Sequence, residues 1–253
     1  MPIATLLLSF MLLGGCARDR TAASEVELTV SVAASLREVA EELATQYMAA
    51  HPKVIIRNNI GASGALQQQI MNGAGVDIYL PAATWPMAEL AAVGLVDSTA
   101  VSGFARNRLV LITPKGSELV NSIDDLAAPS TERIALGTPE SVPAGDYAVT
   151  ALRELGLWGL VKGKAIFGSS VRQVLTYVEL GEVDAGIVYA TDAATSERIR
   201  VVAPLETSLA IEYPAAVLNT SEQPDAARRY MTYLLGQEAG EILARHGFRL
   251  PDV

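Results

Sequence analysis

From Val26 onward the chain repeats one pattern: a short run rich in strand-forming residues, then a stretch with apolar residues at helical spacing. Residues 28–33 (LTVSVA) read as a strand, and Leu36, Val39, Ala40, Leu43 and Tyr47 follow on one helical face. Further strands are expected at 54–57, 76–80, 108–113, 133–136, 164–167, 185–189, 199–202 and 212–218. Between them, helices are expected at 66–71, 86–93 and 144–155, and along Val171, Val174, Leu175 and Val178, where Gly181 is placed to cap the C-terminus. Two more helices close the chain before Phe248. Strands that alternate with helices predict an α/β fold with mostly parallel sheets. No repeat of fixed period interrupts the pattern.

The N-terminus has a different grammar. Residues 6–13 form an apolar run too short to cross a bilayer as a helix and suited to the core of a signal peptide. It ends in Leu13-Gly14-Gly15-Cys16, which resembles a lipobox, and Cys16 is the only cysteine in the sequence. On this reading residues 1–15 are a signal peptide, Cys16 carries the lipid, and residues 16–25 are a tether. The exported protein would then sit in the periplasm or on the outer face of the cell membrane, held by its lipid alone. The other reading is an ordinary signal peptide with a chance cysteine. Met1 to Phe10 carry no Lys or Arg, although such leaders usually begin positive. No apolar run after residue 16 is long enough to span a membrane.

Composition removes several classes of function. The formal net charge of −9 gives no general attraction to nucleic acid. A single cysteine excludes an internal disulfide and any multi-thiolate metal site. The two histidines, His51 and His246, fall at expected helix C-termini, where a cation favours the dipole. There is no G-x-S-x-G, G-x-G-x-x-G, Walker A or H-E-x-x-H string. Without a nucleophile–base pair, the chain is expected not to be an enzyme, and no cofactor is implied.

The helix starts carry what chemistry there is. Ser35 opens the first helix, Ser63 the second, Val142-Pro143-Ala144-Gly145 a third, and Ser169-Ser170-Val171 a fourth. Each follows a strand by a few residues, which puts it at the carboxyl edge of a sheet, where open α/β folds bind ligands. Free N–H groups and the positive end of the dipole make such a place suited to an anion. Each feature also has a purely structural reading. Ser35-x-x-Glu38 is a capping box, a serine is an ordinary N-cap, and a proline at a helix start is common. Only the set of four favours a ligand.

The strings SVAASL (31–36), GASGALQQQI (61–70), GTPESVPAGDYA (137–148), SSVRQVL (169–175) and DAGIVYATDA (184–193) resemble the periplasmic molybdate-binding proteins of ABC importers. The closing RYMTYLLGQEAGEILARHGF (229–248) is similar to that family's terminal helices, so the resemblance spans about residues 26–250 in order. It implies a periplasmic-binding-protein type II fold with an interlobe cleft. One lobe would comprise 26–106 and 213–253, and the other 107–212. It also implies capture of molybdate, with tungstate, and delivery to a permease dimer by a monomeric protein. The anion would be held through the hydroxyls of Ser35, Ser63 and Tyr189 and the backbone N–H groups of Ala144 and Val171, with no direct coordination of the metal.

One departure stands out: where the family often has Ser-Ala-Asp after the third strand, this chain reads Pro81-Ala82-Ala83, which puts packing near the cleft in question but leaves the five contacts alone. Arg172, beside Val171, is read as solvated or structural. The alternatives are a binding protein for another tetrahedral oxyanion such as sulfate, a sensory pair of lobes, or an exported α/β hydrolase.

Overall fold

The structure, a computed structural model, describes residues 25–251. The expected leader, Cys16 and all but the last residue of the expected tether lie outside the described residues.

Two five-stranded sheets organise the chain. The first takes β1 (Val26–Ala33), β2 (Val54–Gly61), β3 (Ile78–Leu80), β4 (Ser102–Arg106) and β10 (Glu212–Val217), in the order β2-β1-β3-β10-β4. The second takes β5 (Leu109–Pro114), β6 (Ile134–Gly137), β7 (Ala165–Gly168), β8 (Ala185–Tyr189) and β9 (Ile199–Leu205), in the order β7-β6-β8-β5-β9. Each sheet with its helices forms one lobe of an α/β periplasmic-binding fold. Helices α1 (Arg37–Ala50), α2 (Ser63–Met71), α3 (Thr84–Ala92), α8 (Pro224–Leu234) and α9 (Gln237–Arg245) belong to the first lobe. Helices α4 (Pro143–Glu154), α5 (Trp158–Val161), α6 (Val171–Glu179) and α7 (Ala190–Ala194) belong to the second.

The sheets are mixed rather than mostly parallel. β1 pairs in parallel with β2 and β3, and β6 with β7 and β8. β10 runs antiparallel to β3 and β4, and β5 antiparallel to β8 and β9. The reversed strands are the ones by which the chain arrives from the other lobe, so they enter against the direction of the βαβ units. β4 escapes the periodicity argument. It is a short edge strand with Gly103 in its middle, and it packs against one neighbour only.

Two crossings join the lobes, from β4 to β5 and from β9 to β10, and they are bound to each other. Asn107 N–H donates to the Ile211 carbonyl at 3.1 Å. Arg106 pairs with Glu212 at 2.8 Å and exchanges backbone hydrogen bonds with Arg249 of the C-terminal tail. Inner strands are buried on both faces, as helices on either side of a sheet require: all five residues of β8 are buried.

Candidate functional site

The carboxyl edges of both sheets face one cleft. Ser35, Ser63, Ala144, Val171 and Tyr189 all line it, the first two from the first lobe and the other three from the second. No charged side chain lines it among the described residues. Its volume is about 210 Å³.

Each residue reaches the cleft for a local reason. α4 begins at Pro143, whose lack of an N–H costs nothing in a first turn. The turn lies against the end of β6: a Cβ on Gly145 would stand 2.0 Å from the Gly137 carbonyl oxygen, so only glycine lets Ala144 come this close. α6 begins at Val171 behind an extended N-cap, Ser170, whose hydroxyl accepts from Gln173 N–H at 3.2 Å. The N–H groups of Ala144 and Val171 sit in first turns, where a helix offers them no acceptor. Neither meets another acceptor among the described residues. Tyr189 ends β8 and is buried at the cleft.

Ser35 and Ser63 do not cap. The N-cap of α1 is Leu36 and that of α2 is Ala62, and neither helix start has a side-chain cap bond. The capping box expected of Ser35 and Glu38 is absent because tertiary partners take both side chains. Ser35 Oγ lies 3.0 Å from Tyr213 Oη, and Glu38 pairs with Arg172. Ser63 Oγ accepts from Ala82 N–H at 3.0 Å, while its carbonyl accepts from Tyr79 Oη at 2.6 Å. Of the serines at these helix starts, Ser170 alone caps, as the structural reading expects.

The segment that departs from the family pattern does touch the site, contrary to expectation. Ala82 stands between the lobes: its N–H serves Ser63, and its carbonyl accepts from Tyr189 Oη at 3.3 Å. It does so through its backbone, so the side chain at this position matters little to the contact.

Arg172 takes a structural role across the cleft mouth. It pairs with Glu38 of the first lobe, donates to Thr195 at 3.1 Å, and places its Nε 2.7 Å from Asp192 Oδ1. The last contact is a charge pair bent away from good hydrogen-bond geometry. Burial pushes the Asp192 carboxyl up to about 7, with Arg172 holding it down and Glu38 pushing it further up. Burial likewise pushes the Tyr189 hydroxyl well above its ordinary range, so it remains a donor at neutral pH.

Asn107, Tyr213 and Asp192 were not legible in the sequence as parts of this region, and Ala82 was not legible as a partner of Ser63 and Tyr189. His51 and His246 end α1 and α9, as expected, and His246 pairs with Glu42 at 2.8 Å. Among the described residues no group of three or more His, Cys, Asp or Glu could hold a metal ion. No helix there is long and apolar enough to cross a membrane.

A family model described as bacterial extracellular solute-binding protein matches residues 28–249. The chain belongs to that family. Among solute-binding proteins it is 41% identical to a Bacillus subtilis protein named as an ABC transporter substrate-binding lipoprotein, over 96% of this chain and 95% of that one. It is 33% identical to the molybdate-binding protein of Escherichia coli, over 96% of this chain and 95% of the other. A solved structure assigned as the substrate-binding domain of a molybdenum ABC transporter from Clostridium difficile superposes with a TM-score of 0.70 at 35% identity, covering 90% of this chain and all of that one. These likenesses fit the two-lobed architecture.

Proposed function

We propose that this solute-binding protein captures molybdate, and tungstate with it, as the intact oxyanion and delivers it to the permease dimer of an ABC transporter. The observation that carries the reading is the cleft: donors from both lobes converge where no carboxylate opposes an anion. A doubly charged oxyanion loses much hydration on burial. Each hydrogen bond to it returns about 1.5–3 kcal/mol. The hydroxyls of Ser35 and Ser63, the Tyr189 hydroxyl once it turns from the Ala82 carbonyl, and the N–H groups of Ala144 and Val171 supply these bonds, backed by the dipoles of α2, α4 and α6. Neutral donors bind without a counter-ion and so permit release. The likeness to proteins named for molybdate favours that anion over sulfate.

On the same reading the lobes comprise 26–106 with 213–253, and 107–212, and the protein works as a monomer without a cofactor. On this reading it binds its ligand and releases it unchanged, in keeping with the solute-binding family to which it belongs. Cys16 carries the lipid that anchors it, in keeping with the name of the Bacillus subtilis relative.

Thermal-shift screening with molybdate, tungstate, sulfate and phosphate tests the reading. A ligand at 100 times its Kd stabilises by about 2.7 kcal/mol. Molybdate and tungstate should raise Tm and phosphate should not; a shift with sulfate alone would overturn the choice of anion.

A further inference from the structure

Ser35 Oγ and Tyr213 Oη lie 3.0 Å apart, and either could donate on distance alone. The surroundings decide. The backbone N–H of Arg108 can only donate, and it donates to Asn107 Oδ1 at 2.9 Å. That fixes the amide, so Asn107 Nδ2 faces Tyr213 Oη at 3.2 Å and Thr191 Oγ1 at 2.8 Å. Tyr213 is fully buried and keeps its proton, since burial pushes its hydroxyl well above the ordinary range. Its oxygen already accepts from Asn107, so its proton needs an acceptor; among the described residues Ser35 Oγ lies within hydrogen-bonding distance at 3.0 Å, while the Tyr189 hydroxyl is directed to the Ala82 carbonyl.

We propose that Asn107 and Tyr213 are positioning residues that hold Ser35 as a pure donor toward the cleft. The chain of donors runs from Arg108 N–H through Asn107 and Tyr213 to Ser35 Oγ, whose own proton is left for the ligand. Ala82 N–H does the same for Ser63. The consequence is selectivity. A site whose hydroxyls are already supplied with donors accepts an oxyanion that brings acceptors only. An anion that carries a proton, such as hydrogen phosphate, finds no acceptor in Ser35. Asn107 stands on the crossing from β4 to β5, and Tyr213 is the second residue of β10, where the other crossing ends, so the joints between the lobes set this hydroxyl. The inference rests on the reading of the cleft as an oxyanion site.

The test is a double-mutant cycle on the full chain, read by isothermal titration with molybdate, tungstate and sulfate. Asn107→Asp replaces the donor with an acceptor. Tyr213 then donates to residue 107, and Ser35 must turn its proton toward Tyr213 and away from the ligand. This variant should weaken molybdate binding by about 30-fold or more. In a Tyr213→Phe background the same change should cost only a few-fold, because nothing remains to pass the reversal on. An equal cost in both backgrounds would point to charge alone and overturn the relay. Tyr213→Phe by itself, which keeps the buried ring, gives a second readout should Asn107→Asp not fold. It frees Ser35 to accept, so the ratio of molybdate to hydrogen phosphate affinity at about pH 8 should fall about tenfold. An unchanged ratio would also overturn the proposal. Wild-type protein that binds molybdate while the variants fail these expectations refutes the relay alone. Wild-type protein that takes none of the three anions refutes the oxyanion site and the relay together.

Discussion

The backbone N–H of Gly64, in the first lobe, donates to the carbonyl of Ser141, in the second, at 2.9 Å. It is a bond between lobes that no side chain makes, and it exists because residue 64 has no Cβ. A Cβ there would stand 2.8 Å from Ser141 Cα and 2.9 Å from its carbonyl oxygen, with Trp85 at 3.1 Å. The first turn of α2 and the turn before α4 can meet only across a glycine. Gly64→Ala should therefore leave each lobe intact and hold the two apart. Molybdate affinity should fall at least tenfold, about 1.4 kcal/mol, with little change in Tm of the free protein. Solution scattering should show wild type contracting on saturation with molybdate and the variant contracting less. Equal contraction and affinity would show that closure does not use this contact.

Arg172 ties three segments together, and its removal has a signed pH dependence. The Asp192 carboxyl rises from its ordinary 3.8 to about 7 in the folded chain. Between those values the folded chain holds a proton that the unfolded chain has released. Stability through this group is therefore fully present below about pH 4, falls as pH rises, and reaches its minimum above about 7. Arg172→Gln takes away the cation that offsets the buried carboxylate. We expect a loss of about 3 kcal/mol in urea unfolding at pH 8. The loss should be smaller at pH 5.5, where Asp192 is protonated. Asp192→Asn should flatten the pH dependence that wild type shows across the same range. A loss from Arg172→Gln that is independent of pH would contradict this account of the pair.

Ser63 serves two masters, so its truncation should show in two measurements. Ser63→Ala removes one hydroxyl donor from the cleft and leaves Ala82 N–H without its acceptor. Molybdate affinity should fall by about 10- to 150-fold, the worth of one hydrogen bond to a charged group. The free protein should also lose about 1–3 kcal/mol, the cost of a buried donor left unpaired. Normal stability with weakened binding would mean that Ala82 N–H finds another partner.

Much of this architecture is legible in the sequence, and the part that is not has a common cause. Periodicity located nine of the ten strands among the described residues and the principal helices, because buried strands and amphipathic helices must carry those patterns. The helix starts at Ser63, Ala144 and Val171 lay where strand ends predicted them, and Ser35 falls in the short turn just before α1. The structure gathers these residues with Tyr189 at one cleft. What the sequence could not supply is who holds them there. Tyr213 meets Ser35 across 178 positions, and Asn107 meets Tyr213 across 106. Local pattern made Ser35-x-x-Glu38 a capping box, and two long-range contacts overrode it. The Pro81-Ala82-Ala83 segment was read as leaving the contacts alone because the contribution of Ala82 is backbone, which leaves no mark on side-chain identity. β5 and β10 gave good strand signals but not their direction, since that follows from the path between lobes.

Val171 separates backbone from side chain. If its N–H serves the anion, Val171→Ala should bind nearly as wild type does. Val171→Pro removes the N–H at a helix position that tolerates proline, behind an N-cap already extended at φ −158° and ψ 162°. The fold should survive, and affinity should fall by about 10- to 150-fold. Titration of both variants, with circular dichroism to verify folding, checks this. A folded Val171→Pro that binds normally would remove this helix start from the site.

The central claim is that one oxyanion sits among the five residues drawn from both lobes. An anomalous-difference map at the molybdenum absorption edge, from crystals grown with molybdate, tests it most directly. The account predicts a single strong peak per chain, within hydrogen-bonding reach, through its oxygens, of the Ser35, Ser63 and Tyr189 hydroxyls and the Ala144 and Val171 N–H groups. A peak elsewhere on the molecule, or none at saturating molybdate, would contradict it.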